Sequence, residues 1–380
     1  MSSEHGSLMQ TLKHHLLTVS FVAGFAFDNI TLSRVDRLYD NAFLFSYVCI
    51  SMIGVFLLYF GTSGKRSEKF QKFTTKWAPL LIQYMFGGLM SGLLVFYSRA
   101  GSWWAHWPYL LIIIGMILGN ELIHKKAQRL VFNLGLLFIG MFSYAALVVP
   151  VVLGKMGDGI FLLSGGIALG VFVFFVRILY FVIPNFMALN TRSIFFTTCM
   201  IYATVNGLYF SNIIPPIPLS MKEMGVYHNV LKRDDGGYAL SYEEGSWYEL
   251  WHLSDSTFHY KTGDRVYCYT SIFAPSRLHT NVVHTWEYYD APLKKWTLHE
   301  KVSFSIDGGR GEGYRGFSYI ESVQDGTWRC SAETPRGQVI GRATFHVVTG
   351  KAPKPLVSRV TVGDTSSEGD ILSLVKELFK

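Results

Sequence analysis

Residues Phe195 to Leu219 read FFTTCMIYATVNGLYFSNIIPPIPL, and within them the chain changes solvent. The first part is apolar enough for one membrane crossing. Asn212 to Pro218 then places three prolines together, which cannot continue a helix and favour extended backbone, a stiff stalk. Upstream lie six more apolar runs of spanning length; downstream the chain is polar and β-patterned.

Composition agrees with a membrane protein. Of 380 residues half are apolar, 16% are aromatic and only 16% are charged. The net charge of +7 is modest, and its lysines and arginines cluster in short loops between apolar runs, which favours orientation in lipid over nucleic-acid binding, so no nucleic-acid partner is assigned. Each crossing needs about 20 apolar residues, because no backbone polar group can stay unpaired in hydrocarbon. Seven runs qualify, near 16–32, 42–60, 77–97, 103–122, 130–153, 159–183 and 195–214. His14, His15 and Asp28 make the first the weakest, and Gly24-Phe25-Ala26 resembles a signal-peptidase site.

Sidedness follows from the loops. Lys13, Lys65, Arg66, Lys69, Lys72, Lys76, Lys125, Lys126, Arg129 and Arg192 fall on one side, and Arg34, Arg37, Arg99 and Lys155 on the other. Ten against four puts the first side in the cytoplasm and everything after Pro215 outside, the periplasm of a bacterial inner-membrane protein. The expected division is a cytoplasmic 1–15, a seven-helix membrane domain 16–214, a stalk 215–224, an extracytoplasmic β-domain 225–348, and a linker with a short amphipathic helix over 349–380.

Inside the bundle, Gly88 and Gly92, and Gly166 and Gly170, are each four apart, a spacing that permits close helix packing. Glu121 and Arg177 both fall in the cytoplasmic third, where they form an intramembrane ion pair or Arg177 snorkels to the interface. No run carries the repeated acidic or histidine residues of a proton relay.

The outer part alternates with period two. Val266, Cys268, Thr270 and Ile272 share a face, as do Val282, His284, Trp286 and Tyr288, and Trp296, Leu298, Val302, Phe304 and Ile306. Strands at 327–333 and 339–348 flank the turn at 334–337. Six or so short strands argue for an antiparallel β-sandwich, and the order Cys268, Trp286, Cys330 is reminiscent of the immunoglobulin pattern. Cys268 and Cys330 are then either an inter-sheet disulfide, which an exterior compartment permits, or two free buried thiols.

Gly225-Val226-Tyr227-His228, the Phe-Ala-Pro of 273–275, His284-Thr285-Trp286, the run from Gly308-Gly309-Arg310 to Tyr314-Arg315-Gly316, Gly326-Thr327-Trp328-Arg329, and Gly337-Gln338-Val339-Ile340-Gly341 through Phe345 together resemble a bacterial module known as domain of unknown function 2914. The resemblance covers about 225–348 and implies a β-domain at the envelope, often behind membrane helices. It brings no activity and no catalytic residues. Cys330 stands where the family suggests an aliphatic residue, so the disulfide draws no support from it.

The most unusual polar stretch is Asp307 to Gly316, DGGRGEGYRG. It fits G-x-G-x-x-G, but a β-type run follows where a helix is needed, which excludes dinucleotide binding. One reading makes Gly309, Gly311 and Gly313 a backbone anion cradle completed by Arg310 and Arg315, for phosphate, a lipid headgroup or a carboxylate. The other makes it a mobile inter-strand loop with solvated arginines. His252, His259, His279, His284 and His299 lack zinc-type spacing, so no metal or cofactor is expected. His284, sharing a face with Trp286, reads as a hydrogen-bonded core histidine. No nucleophile sits in a catalytic context, so no catalytic residue is assigned. The favoured reading is a bilayer-anchored binding module facing an envelope protein, lipid headgroup or anionic ligand. The alternative is a transporter or membrane enzyme for a lipid-linked or anionic substrate working in the bundle.

Overall fold

The computed structural model describes Asp28, Leu32 and residues 37–61, 67–100, 103–122, 126–245, 253–311, 313–350 and 353–361; side chains at 80, 103–105 and 116–129 lie outside that description. The expected crossing at 16–32 and the C-terminal amphipathic segment fall outside it, Asp28 and Leu32 apart. Six described helices precede eleven strands. The helices are α1 (Leu38–Gly61), α2 (Glu68–Arg99), α3 (Trp103–Leu122), α4 (Lys126–Leu153), α5 (Asp158–Val182) and α6 (Pro184–Phe210). Five of the described helices are long and apolar enough to cross a membrane.

The last helix starts eleven residues before the expected crossing at 195. Ile183 ends α5 by donating its N–H to the Leu179 carbonyl at 2.9 Å, and its own carbonyl accepts the Met187 N–H at 3.0 Å. Pro184, which has no N–H to satisfy, takes the first helical position, so the reversal consumes one residue. The two helices return alongside each other: Phe161 stacks on Tyr209 with centroids 3.7 Å apart, and the Tyr209 hydroxyl donates to Asp158 at 3.2 Å. Arg192 is thereby helical and not in a loop.

Gly92 and Gly88 let α2 approach α1 closely, since a methyl at either would meet Leu44 at 2.6 Å or the Tyr47 ring at 2.9 Å. Gly166 and Gly170 face open space instead, and the adjacent Gly165 makes the helix contact, against Phe142. Inside the bundle the Tyr97 hydroxyl donates to the Ser143 carbonyl at 3.1 Å.

The chain divides into two compact units. The second joins the described parts of 99–107 and 150–157, each a helix end with the residues beside it, to the described residues from Phe210 onward. In this unit the Ser220 hydroxyl donates to the Arg99 carbonyl at 2.8 Å, Met156 packs on the β-core, and Gly154, at φ +64°, lies against the Arg277 backbone. His106, almost fully buried, sets Nδ1 2.8 Å from the Ile213 carbonyl and Nε2 2.9 Å from that of Val339.

The strands are β1 (Ser220–Tyr227), β2 (Asn229–Lys232), β3 (Tyr238–Glu243), β4 (Thr257–Tyr260), β5 (Val266–Phe273), β6 (His279–Asp290), β7 (Lys295–Asp307), β8 (Tyr314–Ile320), β9 (Gly326–Glu333), β10 (Val339–Thr349) and β11 (Leu356–Val360). They form three sheets, β1-β5-β8, β4-β10-β9-β6-β7 and β11-β3-β2, antiparallel except that β4 runs parallel to β10. The three-stranded β1-β5-β8 sheet is the middle layer. Its inner face, with Val226, Val266, Cys268 and Ile320, meets Trp286, Trp328, Phe345 and Val347 of the five-stranded sheet. Its other face, with Tyr227 and Tyr269, is covered by Val230, Tyr238 and Leu240 of the small sheet.

Three expectations differ from this arrangement. The proline run turns on itself and is buried: the Ile217 N–H bonds the Pro215 carbonyl at 2.8 Å, the Leu219 N–H that of Pro216 at 3.0 Å, and Leu219 enters the core. β1 therefore begins inside the expected stalk. β11 occupies part of the expected linker because its backbone completes the ladder of β3. In β7 the single face assigned to Trp296 through Ile306 splits. A bulge opposite Trp286 and Glu287 inserts His299, so Trp296 and Leu298 turn outward while Phe304 and Ile306 stay on the core side.

Candidate functional site

Between the two large sheets, the sulfurs of Cys268 on β5 and Cys330 on β9 are bonded, with Cα atoms 6.5 Å apart. Trp286 pairs with Cys330 across β6 and β9 and is fully buried. Its indole N–H donates to the Ser318 hydroxyl at 2.9 Å, and that hydroxyl lies 2.9 Å from His284 Nδ1. On the other ring edge, His284 Nε2 lies 3.0 Å from the Thr270 hydroxyl, which donates to the Gly316 carbonyl at 3.3 Å. One assignment satisfies every atom: Ser318 donates to Nδ1, and Nε2–H donates to Thr270. Burial accordingly pushes the His284 pKa down to about 3, keeping the ring neutral. Cys268, His284 and Cys330 have the proximity of metal ligands, but the sulfurs hold each other and both ring nitrogens are engaged.

The glycine-rich stretch is arranged differently from an anion cradle. Gly308 N–H donates to the Leu278 carbonyl, Gly309 N–H to that of Ala274 and Gly313 N–H to that of Arg310, so these amides are consumed by the turn. Gly309 and Gly313 adopt φ of +96° and +87°, which explains their residue type. Strand alternation puts Arg315 on the face covered by the small sheet, where it is buried and donates to the Gly236 carbonyl at 3.1 Å. Arg310 stacks over the Tyr314 ring at 4.9 Å. Arg315 and Tyr314 are on opposite faces of β8, so the two guanidinium groups are held apart by the strand between them. Arg177 is exposed on α5, and the Glu121 side chain is outside the described residues.

The outward face of the five-stranded sheet carries Trp296 and Leu298, which sequence alternation grouped with Phe304 and Ile306, beside a set of charged and hydroxyl side chains. Arg329 donates twice to the Glu287 carboxylate, at 2.5 and 2.9 Å, and its guanidinium lies 4.1 Å from the Trp296 ring centroid. Arg342 Nε donates to Ser331 at 2.9 Å, and Thr285 donates to Glu333 at 3.0 Å. Leu298 stands beside them, 54% exposed. This is a rigid aromatic and arginine face with an apolar flank, the residue types that anchor protein contacts.

A second cluster was also missed from sequence. Glu243, at the end of β3, accepts the backbone N–H of His259 at 3.0 Å, His259 Nδ1–H at 2.7 Å and His228 Nε2–H at 3.0 Å. Asp255 Oδ1 accepts the Glu243 backbone N–H at 2.8 Å, and its Oδ2 sits 3.8 Å from His228 Nε2. The four residues come from separate segments at no recognisable spacing, so only the fold assembles them.

Among solved structures, a beta-glucosidase from Listeria innocua in complex with gluconolactone is 8% identical with a TM-score of 0.18, covering 33% of this chain and 16% of its own. An alkylpurine DNA glycosylase, AlkC, from Pseudomonas fluorescens, bound to DNA containing an abasic site analog, is 10% identical with a TM-score of 0.18, covering 83% of this chain and 99% of its own. Scores this low mark no shared fold. No curated protein matches the chain. A family model does match, over residues 279–347, from the start of β6 into β10, and that stretch contains His284, Trp286, Ser318 and Arg329. Behind its apolar helices, the protein thus carries in its C-terminal part a module of the family described as Protein of unknown function (DUF2914).

Proposed function

We propose that this is a bacterial inner-membrane protein of seven spans that displays an immunoglobulin-like β-sandwich on the periplasmic side. The sandwich is a binding module for an envelope partner, and its contact surface is the outward face formed by β7, β6, β9 and β10. The observation that carries this reading is the membership of the second unit. The segments holding Arg99 and Lys155, on the side poor in positive charge, belong to the same compact unit as the β-domain. By the positive-inside rule that side is external.

Two further features support it. The Cys268–Cys330 bond spans the facing sheets beside Trp286, and such bonds persist in oxidising compartments. Strand order also fits the immunoglobulin plan: β5 and β8 pair in one sheet, while β6, β9, β10 and β7 stand in the other in the places of C, F, G and C′. The small β11-β3-β2 sheet is an addition to that plan.

A photo-crosslinking amino acid at position 298, introduced in cells, tests the surface. A discrete higher-mass adduct is expected there and not at Leu231 on the small sheet. Absence of adducts at 298, or equal adducts at both positions, overturns the assigned face. A cytoplasm-specific reporter fused after Gly350 is expected to be silent, and activity would overturn the sidedness.

A further inference from the structure

We propose that Asp255, Glu243, His228 and His259 form a pH-sensitive latch that holds the small β11-β3-β2 sheet closed over the tyrosine layer of the middle sheet in acid and loosens it as the pH rises. The geometry makes this cluster a clasp. It joins the end of β3 to β4 through the two His259 N–H groups that Glu243 accepts, and to the junction of β1 and β2 through that of His228. It joins β3 to β1 through Asp255, whose side chain accepts the Glu243 N–H and whose own N–H donates to the Val226 carbonyl at 2.9 Å. The His228 ring lies flat on Phe258 with centroids 3.9 Å apart, which seals one side.

Within the clasp, Asp255 is the strained member. Its side chain is fully buried, and Oδ2 has no hydrogen-bond partner among the described residues. Ionised there, it sets a second carboxylate charge beside that of Glu243, and its nearest basic group, His228 Nε2 at 3.8 Å, is already committed to Glu243. Opening gives the charge to water, so ionisation favours the open form. The other titratable groups facing His228 are His259 and Asp264. Beneath the small sheet lie Tyr227 and Tyr269, so release bares an aromatic surface.

The sign of the effect follows by linkage. Burial raises the Asp255 pKa from 3.8 to about 7. Between those values the closed form keeps a proton that the open form releases, so closure weakens as pH rises and levels off above about 7. His228, whose pKa burial lowers from 6.5, works oppositely: closure is weakened as pH falls below 6.5. Asp255→Asn therefore exposes the histidine contribution alone.

Amide hydrogen exchange of the full-length protein in lipid nanodiscs, read over 238–243 and corrected for intrinsic rates at pH 5 to 8, tests the latch. The ratio of wild-type to Asp255→Asn protection is expected to fall by up to about tenfold per pH unit from pH 5 to 7 and to stay constant above. A pH-independent ratio overturns the proposal. Asp255→Ser, equally uncharged, replaces the Asn variant if that does not fold, and wild-type protection that climbs steadily from pH 5 to 8 overturns the proposal without any variant. The readout depends on neither compartment nor partner, so its failure is separate from that of the proposed binding face.

Discussion

At the residue scale, the relay from the Trp286 N–H through Ser318, His284 and Thr270 to the Gly316 carbonyl decides what the β-core tolerates. Ser318→Ala leaves the indole N–H and His284 Nδ1 unpaired in a dry interior. A loss of about 1–3 kcal/mol is expected in denaturant titration, with Ser318→Thr milder. His284 adds a pH dependence. Its folded pKa is depressed to about 3 against 6.5 unfolded, so its contribution is complete above 6.5 and is lost as pH falls toward 3. His284→Asn should flatten the acid side of the melting-temperature profile.

At the element scale, parity and packing face separate positions that look alike in sequence. The β7 bulge makes Leu298 a surface residue and keeps Phe304 against His284. Leu298→Glu should leave stability within about 0.5 kcal/mol, while Phe304→Glu, which puts a charge at a half-buried position packed on the core, should lower the melting temperature in a thermal-shift assay. On the helices, Gly92→Leu drives side-chain atoms into Leu44 and should lower the thermal stability of the protein in detergent. Gly170→Leu, with open space around it, should not. Spacing alone made the two glycine pairs equivalent, because a four-residue repeat fixes a shared face without saying which way that face points.

At the scale of the whole molecule, the bond between Cys268 and Cys330 closes a loop 62 residues apart in sequence. Constraining that loop in the unfolded chain contributes about 4 kcal/mol, so Cys330→Ser or a reductant should lower the melting temperature by many degrees. Labelling of denatured, unreduced protein should find two thiols, Cys49 and Cys199, and reduction should raise the count to four. The docking of 99–107 and 150–157 into the β-unit makes a complementary claim. His106 lies within hydrogen-bond distance of the Ile213 and Val339 carbonyls, so His106→Leu should increase proteolysis near 210–219.

The sequence by itself determined the membrane half, the β-character of the outer half and five of its strands, because spanning length and period-two alternation are local properties. It also placed Cys268, Thr270, His284 and Trp286 on inward faces. Tertiary structure alone decided the fate of Arg315, which strand parity and a covering sheet removed from solvent, and of Trp296, which one inserted residue turned outward. It alone assembled Asp255, Glu243, His228 and His259 and packed the proline run into the core. Those outcomes depend on which distant backbone lies alongside each strand, and no local spacing of residues encodes that.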